Sequence, residues 1–251
     1  MIKIEDIQKI TKLVLSTGFL KNQRPLSLML IGEAGIGKTE IISHFSGKNV
    51  FFCTDLSKFG LLNLLKENKQ LTHIVIPDFI KVTQKKRSTS DDLISVLNAF
   101  VEEGLDNFDL YNFKASFNHR RGGLVTATTK ASYDQHKKSW NKIGFVSRML
   151  VCSFAYNHDT IQQIMDFIEE DNFKPTEKQA LLKLKKFDVQ SSKELNKKLE
   201  KINENKFRTQ KQLQTLAKAN ALIRGSKKVE NEDIEEIFRL SKFLNLNYTK
   251  I

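Results

Sequence analysis

The sequence predicts an α/β fold: a parallel sheet flanked by helices over residues 1–156, followed by a small all-helical domain over residues 157–251. Three observations predict it. Short apolar runs, each too brief for a buried helix, alternate with amphipathic helical patterns through the first part of the chain. The best of these runs is apolar without interruption, as a strand covered on both faces must be. After Tyr156 the strand signals stop, and the remainder of the chain is helical and lysine-rich.

In chain order, Ile4, Ile7, Ile10, Leu13 and Val14 recur at helical spacing and predict an amphipathic opening helix. Pro25 then introduces Leu26-Ser27-Leu28-Met29-Leu30-Ile31, bounded by Gly32, which reads as a strand buried on both faces. A helix is predicted from Thr39 to His44. Further strands are predicted at Asn49–Cys53, His73–Ile76, Leu124–Thr128 and Met149–Phe154, with helices at Leu61–Asn68 and Asp91–Glu103 between them. Beyond Tyr156, helices are expected at Asp159–Glu170, Thr176–Lys186, Ser192–Asn203, Lys211–Ile223 and Asn231–Leu244. Pro175-Thr176-Glu177 and Ser191-Ser192-Lys193-Glu194 suit helix starts, Asn231-Glu232-Asp233 puts acids in a first turn, and Gly225 suits a helix end.

Composition narrows the class. With 40% hydrophobic and 28% charged residues the chain can build a core and is not a disordered one. Lys and Arg number 41 against 29 Asp and Glu, a formal charge of +12, which favours polyanionic partners, nucleic acid first among them. A compositional bias toward Lys, Asn, Ile and Phe gives the same excess without any ligand. Cys53 and Cys152 lie in apolar runs with no zinc-ligand spacing and are expected to be buried thiols in a reducing compartment. The opening residues Met1 to Asp6 carry acids where a secretory leader is apolar, and no run approaches a membrane span, so the expected location is cytoplasmic.

Gly32-Glu33-Ala34-Gly35-Ile36-Gly37-Lys38-Thr39 fits the P-loop pattern in full, between a predicted strand and a predicted helix that continues through Glu40. Its glycines let successive N–H groups turn inward around phosphate oxygens, and the helix after it presents its positive end to the same anion. Lys38 has the reach for the β- and γ-phosphates of ATP, and Thr39 the hydroxyl for Mg2+. The second metal acid is expected at Asp78, which closes the apolar run His73-Ile74-Val75-Ile76-Pro77 in a Walker B arrangement.

With those motifs in place, the chain after residue 20 resembles the AAA+ ATPases. Gly123-Leu124-Val125-Thr126-Ala127-Thr128-Thr129 resembles the strand that carries sensor 1, which implies that Thr128 or Thr129 orients the attacking water. Gly144-Phe145-Val146-Ser147-Arg148 resembles the arginine-finger segment of the minichromosome-maintenance helicases, which makes Arg148 the finger. The helical tail is similar to the AAA+ lid domain, and Phe207-Arg208-Thr209-Gln210-Lys211-Gln212-Leu213 looks like the start of a sensor 2 helix, with Arg208 preferred over Lys211 for its forked contact with phosphate. One position departs from the family: Phe79 stands where a water-activating glutamate usually follows the Walker B aspartate. Glu102 or Glu103, at the end of the next helix, is the substitute, or turnover is slow.

The resemblance also implies partners. Asp106 to Lys114 looks like a β-hairpin inserted before sensor 1, the mark of the subgroup that contains minichromosome-maintenance and MoxR-type ATPases. It implies a homo-oligomeric ring, with a hexamer as one size, and DNA contact through the hairpin. Lys114, His119, Arg120 and Arg121 form one basic flank, and Lys81, Lys85, Lys86 and Arg87 another. Both equally suit solvated charge runs. The expected function is an oligomeric ATPase acting on DNA, with a protein partner supplying specificity. The alternatives are a MoxR-type protein-remodelling ATPase and a slowly hydrolysing nucleotide switch.

Overall fold

The computed structural model describes residues 3–110, 113–156, 158–169, 178–181, 186–203 and 206–246. Among these the strands are β1 (Leu28–Gly32), β2 (Phe45–Ser46), β3 (Val50–Phe52), β4 (His73–Ile76), β5 (Leu105–Leu110), β6 (Phe113–Arg120), β7 (Gly123–Thr129), β8 (Leu150–Ser153) and β9 (Gln179–Ala180). The helices of the first part are α1 (Ile4–Ser16), α2 (Lys38–Ser43), α3 (Lys58–Glu67), α4 (Ile80–Thr83), α5 (Arg87–Asn98) and α6 (Lys130–Lys142). Those of the second part are α7 (His158–Glu169), α8 (Lys193–Lys198), α9 (Glu200–Asn203), α10 (Phe207–Ile223) and α11 (Asn231–Ser241).

Five strands make one parallel sheet in the order β3-β4-β7-β1-β8. Side chains alternate across a strand, so each of these apolar runs feeds two cores. Leu28, Leu30, Val75, Val125, Ala127, Leu150 and Cys152 join one cluster with α1, α2, α10 and α11. Met29, Ile31, Ile74, Ile76, Leu124 and Val151 join the other, with α3, α5 and α6. Every residue of β1 is buried, which is why that run lacks the polar alternation of a half-exposed strand. A Leu30→Ala change there removes a side chain that is fully buried, at a cost of ~2–5 kcal/mol.

The apolar packing crosses the change in character near Tyr156. α10 lies against α1 beneath the sheet, and Glu236 and Arg239 of α11 pair with Lys9 and Asp6 of α1. The buried Asp233 carboxylate closes α10 onto α11, accepting from Asn220 Nδ2 at 2.8 Å, Arg224 Nη2 at 2.9 Å and the Glu230 N–H at 2.8 Å.

Several expectations change. Residues 178–181 are extended rather than helical, since Gln179–Ala180 pairs in parallel with Phe45–Ser46; residues 176–177 and 182–185 of the predicted helix lie outside the described residues, as does Pro175. The C-terminal part is therefore not wholly helical. The helix expected over Ser192–Asn203 breaks at Leu199, whose side chain is fully buried in the first core. Ser192 caps its first half, accepting from the Leu195 N–H at 3.2 Å. The helix expected over Asp91–Glu103 is α5 to Asn98, then a wider π turn, Ala99–Glu103. The segment before β7 does form an antiparallel hairpin, β5 with β6, longer than the expected Asp106–Lys114; residues 111–112 are outside the described set. Cys53 is half-buried rather than buried; burial pushes its thiol up to about 11 and that of Cys152 up to about 12.

Candidate functional site

The register of the parallel strands brings three sequence-predicted groups to one edge. Gly32, the last residue of β1, is level with Thr129 of β7, and Ile31 with Thr128. Ile76 of β4 is level with Thr126, so Asp78 reaches the same edge, where the Phe79 N–H donates to the Ala127 carbonyl at 2.8 Å. The Gly32–Thr39 loop turns over this carboxyl edge and enters α2. Such loops collect at the carboxyl ends of parallel strands because the chain must cross there from sheet to helix.

The loop depends on its glycines. A Cβ on Gly32 would collide with Ile36 Cδ1 and stand 3.0 Å from the Phe154 carbonyl oxygen. Gly35 and Gly37 hold φ values of +80° and +73°, in the left-handed region that other residues enter at a cost of ~1–2 kcal/mol. Around both, a Cβ would meet open space, so these positions need glycine for their φ and not for want of room. Glu33, Ala34, Thr39 and Glu40 are exposed, and Ile36 and Lys38 are half-buried. The Lys38 ammonium donates to the Gly32 carbonyl at 3.0 Å and to that of Glu33. Burial lowers its pKa, while the nearby Asp78 and Glu33 carboxylates act the other way. Asp78 is half-buried and uses Oδ1 to accept the Ile80 N–H at 3.1 Å, which leaves Oδ2.

The two candidate threonines separate cleanly. Thr129 caps α6, its hydroxyl accepting from the Ser132 N–H at 3.2 Å. Thr128 is buried, and its hydroxyl oxygen has no hydrogen-bond partner among the described residues. A buried hydroxyl left unmatched costs ~1–3 kcal/mol, so one near the loop's end of β7 is suited to a bound water or ligand.

The remaining predicted residues gather at the opposite edge. β7 begins at Gly123, where the Gly122 N–H donates to the Phe100 carbonyl, and Arg121 donates to the Glu103 carbonyl. Seven residues of β7 separate this point from Thr129, roughly 20 Å at a strand's rise. Glu103 is thus carried away from the loop of its own chain, because the π turn leads into β5 at the amino edge. There it meets Arg148, whose Nη2 lies 3.3 Å from Glu103 Oε1. Arg148 Nη1 donates to the carbonyls of Ile143 and Gly144, at 3.2 and 2.6 Å. Its side chain is 16% exposed, so this arginine is held rather than free. Arg208, at the start of α10, donates to Ser147 Oγ at 2.9 Å and faces Glu102 at 3.7 Å. Glu102 also takes Arg24 at 2.8 Å.

The basic flanks are partly spoken for. Lys85 donates to the Leu56 carbonyl at 2.6 Å and pairs with Asp55, and Arg120 donates to the carbonyls of Asn68 and Leu71. Lys114 pairs with Asp109, His119 with Asp106, and Arg87 with Asp91. Lys81 and Lys86 are exposed.

Sequence reasoning missed Arg24 and Lys130. Arg24 carries no motif; only its position before the first strand marks it. Lys130, exposed at the start of α6, lies near Glu33 at the loop's edge and pairs with Asp134 at 2.7 Å. Its position directly after Thr129, a candidate site residue, was the signal that could have found it. Among the described residues, no helix is long and apolar enough to cross a membrane, and no three His, Cys, Asp or Glu side chains cluster as a metal site. No protein-family model matches the chain, and no curated protein is similar to it.

Proposed function

We propose that the chain binds ATP with Mg2+ at the carboxyl edge of its sheet and hydrolyses it as an oligomer of the AAA+ class acting on DNA. The observation that carries this reading is the Gly32–Thr39 loop, with left-handed Gly35 and Gly37, and Lys38 within electrostatic reach of Asp78.

The residues divide the work. The loop's N–H groups and the first turn of α2 hold the phosphate chain. Lys38 exchanges its carbonyl partners for phosphate oxygens. Thr39, exposed, and Asp78, with Oδ2 left over, have the oxygen donors that suit Mg2+, which when bound neutralises charge on the β- and γ-phosphates. The unmatched Thr128 hydroxyl orients the attacking water. Arg148 and Arg208 stand together at the far edge of their own sheet, which supports a site completed by the arginines of a neighbouring copy, in a ring that includes a hexamer among its possible sizes. The lid role of the C-terminal helices and the subgroup assigned by the β5–β6 hairpin belong to the same proposal. The charge of +12 supports DNA as the polymer.

A second reading has its own observation. Phe79, in the glutamate's place, is fully buried between Trp140 and Phe145, and Glu102 and Glu103 lie at the other edge. Neither of these glutamates stands beside the loop of its own chain, which favours a nucleotide-dependent switch with slow turnover.

Calorimetric titration of ATP with Mg2+ into the wild type and Lys38→Ala tests the first reading. Lys38→Ala is expected to keep its circular dichroism spectrum and lose about a hundredfold or more in affinity, as removal of a half-buried, charge-assisted phosphate contact implies. Equal affinity in a folded variant overturns the site. Tight binding with no phosphate release at any protein concentration, with or without DNA, selects the switch. Absence of DNA binding selects the MoxR-type protein-remodelling alternative.

A further inference from the structure

On the amino edge of the sheet, away from the loop, a cleft of about 1410 Å3 opens between the segment before β1, the turn between β2 and β3, the segment before β4 and the end of β6. This exceeds the ~300–1,000 Å3 of a typical small-molecule pocket and suits a stretch of polymer. The charged side chains among its described lining are Arg24, Lys48, Lys69, Arg120, Arg121 and Lys186, with no Asp or Glu. Arg24 is answered by Glu102, Arg120 by two carbonyls, and Arg121 by the Glu103 carbonyl. Lys48, Lys69 and Lys186 are exposed and have no ion-pair or hydrogen-bond partner among the described residues. Three uncompensated ammonium groups around one concavity raise its potential and focus anions into it.

We propose that this cleft holds the phosphate backbone of single-stranded nucleic acid, with Lys48, Lys69 and Lys186 as its contacts; this rests on the reading of DNA as partner and gives it a site. A single strand fits inside a concavity of this volume. A duplex carries its phosphates on a broad cylinder and would meet only the rim. Phe19, the one Phe, Tyr or Trp among the described lining, is buried, so the cleft offers no such ring for base stacking and holds its strand by charge with little base preference. The strand lies on the opposite edge from ATP, and neither site blocks the other. The basic segment Lys85 to Arg87 offers less free charge than the cleft, because Lys85 is tied to Asp55 and Leu56 and Arg87 faces Asp91.

The experiment is fluorescence anisotropy of a labelled oligothymidylate against salt, for the wild type, a Lys48→Ala/Lys69→Ala/Lys186→Ala variant, and a Lys85→Ala/Lys86→Ala/Arg87→Ala variant. The cleft variant is expected to lose about tenfold or more in affinity, and its log–log salt slope to flatten by about two units, as three phosphate contacts on a single strand imply. The other variant is expected to bind within about twofold of wild type, and the cleft variant to titrate ATP normally, which shows that it is folded. Wild-type binding that survives the cleft substitutions overturns the cleft while leaving DNA as the partner. No wild-type binding at low salt overturns both. Duplex bound as tightly as the single strand, or labelled polyglutamate bound in its place, also overturns the proposal.

Discussion

The two edges of the central sheet handle charge in opposite ways. At the carboxyl edge, Lys38 rests on backbone carbonyls, the Thr128 hydroxyl has no partner among the described residues, and a Cβ on Gly35 or Gly37 would meet open space. At the amino edge, Arg148, Arg208, Arg24 and Arg121 are matched to Glu102, Glu103, Ser147 and nearby carbonyls. Among the described residues of the amino edge, these arginines are answered, though the buried Arg148 Nε is not, and the three cleft lysines are unpaired. A carboxylate's usefulness is decided by which edge it lies on, and the chain has sent its spare glutamates to the edge without the loop.

The largest expected effect breaks that comparison at Phe79. Placing an acid directly after Asp78 with Phe79→Glu should not raise ATP turnover, if the proposed site is present. The ring is fully buried and stacked on Phe145 at 5.4 Å between centroids, so the change removes packing and buries a carboxylate together. A loss of at least ~4 kcal/mol is expected, against ~1 kcal/mol for Phe79→Leu, measured as urea midpoints. A stable Phe79→Glu with raised turnover would show that the pocket can open toward the loop.

Next in size is a pH effect at the amino edge. His73 is fully buried, its Nε2 3.1 Å from the Leu26 carbonyl oxygen, and burial pushes its pKa down to about 4 from 6.5. The folded chain therefore holds this ring neutral while the unfolded chain protonates it. Stability is complete above pH 6.5 and falls by ~3 kcal/mol as pH drops toward 4. Glu236, held near pKa 2 chiefly by Arg239, adds its loss only below about 4.5. Urea midpoints at several pH values should show the first slope in wild type and lose it in His73→Asn. An equal slope in the variant assigns that window to another group.

Smaller effects separate the two arginines. Arg148→Ala loses two carbonyl contacts and the Glu103 pair from a mostly buried side chain, so ~2 kcal/mol of stability is expected to go. Arg208→Ala, 43% exposed, should cost under ~1 kcal/mol. If a neighbour's arginine completes the ATP site, Arg148→Ala also loses most turnover while keeping ATP affinity. Mixed with Lys38→Ala, it should recover part of it. Unchanged activity per subunit in Arg148→Ala removes the shared site.

Where the signal was local, the sequence read closely. His73–Ile76 is a strand at those residues, and the buried run ending at Gly32 places the loop, because uninterrupted apolar residues can be covered on both faces only within a parallel sheet. The Gly225 helix end is visible for the same reason: a left-handed φ of +83° after α10 suits glycine. The β2–β9 pair was not legible, since two residues on each side carry no periodicity and their pairing joins segments more than a hundred residues apart.

The sequence by itself determined the loop, its strand and the Asp78 run, because each depends on neighbours along the chain: glycines for positive φ, apolar residues for burial, an acid at a strand's end. Only the tertiary structure decided which edge each other group reaches. Glu103, Arg148 and Arg208 receive roles in the sequence only through a resemblance, which does not say which edge of this sheet each one reaches. The π turn, the start of β8 and the packing of α10 carry all three to the amino edge. Lys48, Lys69 and Lys186 are isolated in sequence, and only folding gathers them around one cleft. Charge acts through space within about a Debye length, so the partners that hold or free a charged group need not be its neighbours in the chain.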